Sequence, residues 1–583
     1  MTTPPPEPHP AAPRPFPRTP WALLRRLRGP KPRRLGAVLL TALAGSLAVA
    51  ATIPLTPEDF RLSGTQIGDV SPAAIRPSTE CQGCHGDYDP QNEPYSTWAG
   101  SLMGLAGRDP LFFAQMTNAN QDVANVGSFC LRCHVPLSFV TGHAAQPNGS
   151  TLDALDRDGV NCHFCHSLVD PNYQPGVSPP EDQAILAGLA AVPGHAANAM
   201  FVLDPQGRRR GPYDETDAPH LTIASPFHRA SALCGTCHDV GNVAVSRLPN
   251  GSYRYNLPNL AVPDENPWTQ FPLERTYTEW KLSSFAAGGV DMGGRFGGAR
   301  GPVVSTCQDC HMPTETARGC LWGRERTDLA RHEFAGAAAP SLDLIAAHTA
   351  GDPSVDPALI AAGRARAVSM LERAASLELS VDGAAVVARV VNQSGHKLPT
   401  GHIEGRRVWL NLRFLDGAGT ILREHGHYDP ATSHLDETTT TVYEMQVGLS
   451  PDAAGTTGLP PGVTTHMALA DTIEKDTRIP PRGYQSASFE AAGAPAVGIV
   501  FADGQYWHDG RFPIPRRATR VEATVYYQSL TRHYIEALRD GNVTDDWGTR
   551  LHALWEATGR GAPLPMASSQ LFLTDTIFTD GFQ

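Results

Sequence analysis

The stretch GVNCHFCHSLVD, residues 159–170, places two cysteines and two histidines within the five consecutive positions from Cys162 to His166. Three chemistries use a Cys-x-x-Cys pair: zinc coordination, thiol–disulfide exchange, and covalent attachment of haem when a histidine directly follows the second cysteine. A single copy of the pattern does not distinguish them.

Repetition of the pattern decides between these chemistries. Its five copies are CQGCH (Cys81, Cys84, His85), CLRCH (Cys130, Cys133, His134), CHFCH (Cys162, Cys165, His166), CGTCH (Cys234, Cys237, His238) and CQDCH (Cys307, Cys310, His311). With 11 Cys and 22 His in 583 residues, chance predicts about 0.01 such strings. Haem attachment requires the histidine at this fixed offset, because two thioethers hold the ring and the adjacent imidazole reaches the iron. The sequence therefore predicts five covalently attached haem c groups, each with its motif histidine as one axial ligand.

Bulk composition is that of a globular protein with much loop structure. Hydrophobic residues make up 41 % of the chain and charged residues 18 %, with 55 Gly and 51 Pro. The formal net charge is −12, and haem propionates would make it more negative. This charge argues against nucleic acid as a partner.

The N-terminus has the pattern of a targeting segment. Residues 1–34 are basic and Pro-rich, and residues 35–53 form an apolar run that contains the triplet Ala48-Val49-Ala50. This order is typical of an export signal cleaved near Ala50, with an uncleaved membrane anchor as the alternative. Either way the remainder is predicted to be exported: periplasmic, anchored to the membrane facing the periplasm, or at the cell surface. Haem attachment agrees, because thioethers form on the outer side of the membrane before the cysteines oxidise.

Three regions follow the apolar run, and together they predict a mixed fold class. Residues 54–354 are loop-rich with short helical patches and predict a mostly α pentahaem domain. Residues 355–376 predict a connecting amphipathic helix that begins at Asp356-Pro357. Residues 377–583 predict a β-sandwich-like domain. Its candidate strands are LELSV (377–381), AAVVARVVN (384–392), RRVWLNLRFLD (406–416), TTTVYEMQV (439–447), AVGIVFADG (496–504) and RVEATVYYQS (520–529).

Several stretches resemble the multihaem c-type cytochromes grouped with the tetrahaem electron carriers and the hydroxylamine oxidoreductases. They are WAGSLMGLAGRDPLFFAQMTNANQD (98–122), DAPHLTIASPFHRASALCGTCHD (217–239), ERTYTEW (274–280), CQDCHMP (307–313) and RHEFAG (331–336). The stretch NQSGHKLPTGHIEGRRVWLNLRF (392–414) resembles a β-domain appended to some of them. The resemblance covers most of residues 78–350. It implies closely stacked haems whose irons are mostly bound by two histidines.

The residue opposite each motif histidine decides the function. A second protein ligand closes the iron and leaves electron transfer, whereas an open position permits chemistry on a small molecule. The candidate distal ligands are His220, His228, His332, His396 and Met103, the last of which is expected to serve the first haem. The reserve candidates are His143, His195, His348 and His402. His163 is expected beside a ring edge and not over an iron, Met116 follows Met103 in the same helical segment, and Cys320 has no partner left for a disulfide.

Two functions fit these patterns. The leading hypothesis is an exported pentahaem cytochrome that transfers electrons between donor and acceptor proteins, with a homo-oligomer or filament as a variant. The alternative is an oxidoreductase that acts on hydroxylamine or nitrite at one open iron. Tyr213, His220 and Arg210 cluster in a polar stretch that would line such a pocket. Against an enzyme, every motif ends in His, and none has the lysine variant found in some nitrite reductases.

Overall fold

The computed structural model describes residues 53–214 and 218–573. The predicted basic segment, and all of the predicted signal or anchor except Ile53, lie outside these residues. Within the described ranges, no helix is both long enough and apolar enough to cross a bilayer.

Short helices separated by loops dominate the first part of the chain. They are α1 Ser78–His85, α2 Pro94–Ala99, α3 Pro110–Asp122, α4 Val126–His134, α5 Pro136–Thr141, α6 Cys162–Cys165, α7 Pro180–Ala187, α8 Ser231–Gly235, α9 Thr276–Lys281, α10 Cys307–His311 and α11 Ala339–His348. Motif residues lie on α1, α4, α6, α8 and α10. Side-chain caps fix the start of two of these helices: Asn161 accepts a hydrogen bond from the amide of Phe164 at 2.9 Å, and Thr306 accepts one from the amide of Asp309 at 3.2 Å.

Short strands also occur in this part, beside the more numerous helical residues. They are β1 Arg209–Gly211, β2 Thr222–Ala224, β3 Val240–Arg247, β4 Tyr253–Tyr255, β5 Gln270–Glu274, β6 Val290–Asp291, β7 Val303–Val304, β8 Thr314–Arg318 and β9 Glu325–Ala330. The largest sheet among them has the order β4-β3-β5. Val243 and Val245 of β3 are fully buried, so this sheet serves as core for the helices around it.

A long helix, α12 Pro357–Ala374, follows α11. The side chain of Asp356 accepts a hydrogen bond from the Ala358 amide at 2.8 Å and caps its first turn. Gly363 lets this helix pack closely against α2, since a Cβ at Gly363 would lie 1.8 Å from the carbonyl oxygen of Gly100. The helix thereby packs against the segment that follows the first motif.

The remainder of the chain is built mainly of antiparallel strands. They are β10 Ala375–Asp382, β11 Ala385–Asn392, β12 Arg407–Leu415, β13 Ile421–His425, β14 Tyr428–Asp429, β15 His434–Leu435, β16 Val442–Tyr443, β17 Met445–Leu449, β18 Gly462–Val463, β19 Thr472–Asp476, β20 Trp507–Pro513, β21 Arg520–Gln528 and β22 Leu564–Phe572. Its helices are α13 Pro451–Thr457, α14 Ser486–Ala491, α15 Arg532–Gly541 and α16 Trp547–Ala557.

Two sheets of this part share one hydrophobic core. One has the order β10-β11-β20, and the other has β13-β12-β21-β22 with β16 paired to β12. Alternate residues of β11 (Val386, Ala388, Val390) and of β12 (Val408, Leu410, Leu412) point into the same cluster, because side chains of a strand alternate between its faces. The mixed, loop-rich fold class is confirmed, and the sandwich arrangement remains the interpretation of these two sheets.

The segment AVGIVFADG does not form the predicted strand. It makes one isolated bridge, from Val497 to Asp476, and Gly498 and Gly504 have φ of +82° and +81°. Its β-branched residues predict a strand by composition, but Val500 is 90 % exposed while Phe501 is buried in a small cluster with Tyr484. The positive φ values break the extended backbone, so the run is a loop with a single anchoring side chain.

Hydrophobic clusters cross from the first part of the chain to the second. Phe271 of β5 shares a core with Ile403 and Leu469, and Leu344 of α11 packs with Tyr534 of α15. Residues that precede α12 in the sequence therefore share two hydrophobic cores with residues that follow it. The predicted boundaries at 354 and 376 do not mark a gap in packing.

Candidate functional site

One continuous cavity of about 1530 Å³ brings the five motifs together. Its lining includes all fifteen cysteines and histidines of the CxxCH copies and all five candidate distal residues: His220, His228, His332, His396 and Met103. Aromatic and aliphatic side chains such as Trp98, Phe129 and Phe285 supply much of the remaining wall. Five sequence motifs spread over more than 200 residues thus share one predominantly apolar space.

Most motif histidines are oriented by a hydrogen bond from Nδ1. His85 donates to the carbonyl of Gly319 at 2.5 Å, His166 to Arg210 at 2.7 Å and His311 to Ala335 at 2.7 Å. This bond fixes the tautomer and leaves Nε2 unprotonated toward the cavity, which is the arrangement a metal-binding imidazole needs. Sequence reasoning missed these carbonyl acceptors, because they lie 24 or more residues away along the chain.

Three of the motif histidines face a second histidine ring. The ring centroids are 6.4 Å apart for His85 and His220, 6.1 Å for His166 and His332, and 6.4 Å for His311 and His396. Two imidazoles that share one metal ion through Nε2 place their centroids about 6 Å apart, since each metal–nitrogen bond is about 2 Å. Each of these pairs has the separation that a shared iron requires.

Burial keeps several of these rings neutral. Desolvation lowers the pKa of His311 to about 4 and the pKa of His332 to about 3, because the charged imidazolium loses its hydration. Neutral imidazole is the form that binds a metal ion.

His228 is also close to the third motif, but its Nε2 is hydrogen-bonded to a backbone carbonyl. Its ring lies 5.7 Å from that of His166, with 18° between the planes. Its Nε2 donates to the carbonyl of Cys165 at 3.0 Å, and its Nδ1 is buried without a hydrogen-bond partner. The second histidine ring that faces His166, at 6.1 Å, is that of His332.

Met103 lies beside the third motif. Its side chain packs in a cluster with Val160 and Phe164, and its carbonyl accepts a hydrogen bond from the Val160 amide at 3.0 Å. The ring that faces His85 is that of His220. The geometry thus favours His220 over Met103 at the first motif, although Met103 does line the cavity. Met116 is 2 % exposed and packs in a core with Phe112 and Phe113.

His134 and His238 differ from the other motif histidines. Within residues 53–214 and 218–573, neither makes a ring-to-ring contact with another histidine at the separation found for the three pairs. The ring of His134 stacks on Phe112 with centroids 3.9 Å apart. His402, a reserve candidate, lines the same cavity, and its Nε2 is hydrogen-bonded to the hydroxyl of Tyr534 at 2.9 Å.

The Nδ1 of His238 is paired with a carboxylate. Oε1 of Glu274, at the end of β5, lies 3.0 Å from it. Burial disfavours the charged imidazolium, but the Glu274 carboxylate outweighs burial and raises the pKa of His238 to about 8. Burial likewise opposes ionisation of Glu274, yet the bond from His238 leaves the pKa of this carboxyl lowered. The sequence offered no signal for Glu274 beyond its place in ERTYTEW.

Thiol contacts show which motifs are neighbours. The thiol of Cys81 lies close to that of Cys162, the thiol of Cys133 to that of Cys237, and the thiol of Cys234 to that of Cys307. Cys165 is close enough to interact electrostatically with Cys234. The first motif therefore adjoins the third, and the fourth motif adjoins the second, the third and the fifth.

The remaining predicted histidines lie apart from the motif histidines. His163 is buried outside the cavity lining, and its Nδ1 accepts a hydrogen bond from the Arg209 guanidinium at 2.7 Å. His143 binds Asp156 at 2.7 Å, His348 contacts the Trp547 ring, and His195 is exposed. Cys320 lines the cavity beside the first motif, where the amide of Leu321 donates to the carbonyl of Cys84 at 2.8 Å.

The three residues predicted to line a pocket for an enzyme, Arg210, Tyr213 and His220, all line the cavity. The guanidinium of Arg210 is fully buried and ion-paired with Asp204 and with Asp182, the latter at 2.7 Å. The hydroxyl of Tyr213 donates to the Asp328 carbonyl at 2.7 Å. Both side chains thus make contacts within the protein, although Nε of Arg210 is buried without a hydrogen-bond partner.

The residues present fit haem c. Paired thiols beside an oriented imidazole are available at four motifs, the space between them is apolar, and three irons would each find a second imidazole at a suitable distance. His228 adds a buried Nδ1 without a partner, an atom whose burial is costly unless a ligand or metal satisfies it.

Comparisons with known proteins give one structural likeness. No protein-family model matches the sequence, and no curated protein matches it significantly. Among solved structures, the chain is similar to a penta-heme cytochrome c552 from Thermochromatium tepidum, with 18 % sequence identity and a TM-score of 0.45. The match covers 86 % of this chain and 100 % of that chain.

Proposed function

We propose that this chain is a pentahaem c-type cytochrome that transfers electrons through closely spaced haems. The observation that carries the proposal is the single cavity lined by all fifteen motif residues, in which three motif histidines each face another histidine. Haem, when bound, supplies a reversible one-electron iron couple. The chain's own residues attach the rings, orient the axial imidazoles and exclude water.

Histidine pairs favour electron transfer over catalysis at three of the motifs. One iron each would be held by His85 with His220, by His166 with His332, and by His311 with His396. An iron with two protein ligands offers no site for a substrate, so its role is to accept and pass on electrons.

The motif contacts indicate an order for the transfer path. The first motif touches the third, the third lies near the fourth, and the fourth touches the second and the fifth. The proposed path therefore runs from the first motif through the third to the fourth, where it branches. The first, second and fifth motifs are the ends at which partner proteins would exchange electrons.

Export is part of this proposal. Its support is the basic, apolar and small-residue pattern of residues 1–53 together with the requirement that thioethers form outside the cytoplasm. A periplasmic protein, a membrane-anchored protein facing the periplasm and a cell-surface protein all meet this requirement. Donor and acceptor proteins are the proposed partners, and assembly into a homo-oligomer or filament is a variant.

One observation favours a second function, an oxidoreductase acting on hydroxylamine or nitrite. His134 and His238 make no ring contact with a second imidazole in the described part of the chain, so an iron at either position is a candidate for an open site. Of the three predicted pocket residues, which all line the cavity, Arg210 is ion-paired with Asp182 and Asp204.

Spectroscopy with added ligands separates the two functions. The ferric holoprotein is titrated with nitrite, hydroxylamine and cyanide while optical and electron paramagnetic resonance spectra are recorded. An electron carrier gives low-spin signals that do not respond to these molecules. A high-spin fraction near one fifth of the total haem that converts on ligand addition favours the oxidoreductase.

A further inference from the structure

The fourth motif differs from its neighbours in the group that orients its histidine. His85, His166 and His311 donate from Nδ1 to neutral backbone carbonyls, whereas His238 is bonded to the carboxylate of Glu274. The side chain of Glu274 is 17 % exposed and that of His238 is 50 % exposed, and both line the cavity that a haem would fill. A charged acceptor forms a stronger hydrogen bond than a carbonyl does.

A network that spans both parts of the chain holds this carboxylate in place. The hydroxyl of Thr276 donates to Oε1 of Glu274 at 3.1 Å and lies 3.0 Å from the hydroxyl of Thr400. The amide of Gly401 donates to the Thr276 hydroxyl at 3.2 Å. Thr400 and Gly401 belong to the loop between β11 and β12, which also carries His396. These hydrogen bonds therefore fix the position of the Glu274 side chain.

The chemical effect of this carboxylate has a definite sign. An Nδ1–H bonded to a carboxylate gives the imidazole partial imidazolate character and makes Nε2 a stronger donor. A stronger donor, together with a nearby negative charge, stabilises ferric iron over ferrous iron and lowers the reduction potential.

We propose that Glu274 is a positioning residue that makes the iron bound by His238 the most reducing of the five. This inference rests on the proposed function, in which His238 binds a haem iron. The fourth motif touches the second and the fifth and lies near the third, so the most reducing iron would sit at the branch of the path. Electrons would then spend little time at this junction and reside on the outer irons.

Glu274→Gln tests the inference, because glutamine keeps an acceptor oxygen and removes the charge. The purified holoprotein is titrated potentiometrically with optical detection, and haems are counted by mass spectrometry. We expect five attached haems and one reduction equilibrium constant raised at least tenfold, which is about 59 mV for a one-electron couple. The other four midpoints should stay within their experimental scatter. The matched control is Glu378→Gln, which removes the same charge from an exposed position on β10 and should move no midpoint.

A second variant gives a test of opposite sign. Thr276→Val removes one donor to the Glu274 carboxylate and leaves that carboxylate a stronger acceptor for His238, so the same midpoint should fall. Unchanged midpoints in both variants with five haems attached would overturn the inference and leave the electron-transfer proposal standing. A wild-type chain with fewer than five haems would instead overturn the proposed function. If Glu274→Gln fails to mature, Thr276→Val alone decides, and a midpoint that rises or stays fixed contradicts the inference.

Discussion

His311 and His396 face each other with ring centroids 6.4 Å apart and 19° between the ring planes. One residue belongs to the fifth motif, and the other lies on the loop between β11 and β12. Asn392 stabilises that loop by donating from its side chain to the carbonyls of His396 at 2.7 Å and Ile479 at 2.9 Å. The β-rich part of the chain thus completes the surroundings of the fifth motif.

Replacing His396 by alanine should open one iron. We expect His396→Ala to keep five haems while about one fifth of the ferric iron becomes high-spin, because loss of one axial imidazole weakens the ligand field. Electron paramagnetic resonance measures the spin state, and mass spectrometry counts the haems. The control is His427→Ala, which changes a more exposed histidine of the same part of the chain. An unchanged spectrum and unchanged potentials in His396→Ala would mean that His396 is only a loop residue.

His220 and Met103 are the two candidate distal ligands for the iron at the first motif. We expect His220→Ala to produce a high-spin iron and Met103→Leu to leave all ligand-sensitive bands unchanged, since His220 is the ring that faces His85. Near-infrared absorption of the ferric protein checks this directly, because a thioether ligand gives a sulfur-to-iron charge-transfer band. Such a band in the wild type that disappears in Met103→Leu would assign the first iron to Met103 and would make that haem the most oxidising of the five.

His466 should give a pH-dependent contribution to the packing of the two parts of the chain. Its Nδ1 lies 2.8 Å from Asp122, and this bond raises the pKa of His466. A raised folded-state pKa means that the stabilisation is fully present below the ordinary value of 6.5 and is lost as the pH rises through the folded value. We expect His466→Gln to lower Tm by about 2 °C at pH 6 and by less at pH 9.

The matched control for this prediction is Asp122→Asn, which replaces the carboxylate partner of His466 by a neutral amide. In that background, His466→Gln should have the same effect on Tm at both pH values. A Tm difference that is equal at pH 6 and pH 9 in the otherwise wild-type chain would show that His466 contributes by packing alone.

Haem should be required for the folded state of the first part of the chain. A cavity of about 1530 Å³ would leave the motif helices without partners, and cavities of far smaller volume already cost several kcal/mol. We expect a chain produced without haem attachment to lose amide protection in α1, α4, α6, α8 and α10, as measured by hydrogen exchange. Native-like protection of these helices without haem would show that the protein core, and not the cofactor, stabilises them.

Local patterns predicted the elements that depend on local chemistry. Spacing alone identified the fifteen motif residues, and alternation of apolar residues identified β11, β12 and β21. The strand prediction for AVGIVFADG was wrong because its composition favours a strand, whereas the positive φ angles at Gly498 and Gly504 interrupt the extended backbone. Composition does not distinguish a strand from a loop that buries one aromatic residue.

Local sequence patterns do not predict which distant segments of the chain contact each other. His220 and His332 were both recognised as candidates, but the motif that each one faces depends on how the loops cross in space. Glu274 was missed for the same reason, since its importance comes from a 3.0 Å contact with His238. The distal ligand assignments remain predictions that spectroscopy must check.

The pentahaem assignment is tested most directly by a potentiometric titration of the purified holoprotein. Optical and electron paramagnetic resonance spectra follow the titration, and mass spectrometry counts the haems. We expect five covalently bound haems, reversible one-electron steps over a broad range of potential, and low-spin ferric signals from at least the three irons with paired histidines. Four or fewer haems on a chain whose ten motif cysteines are intact, or high-spin iron at most sites, would contradict it.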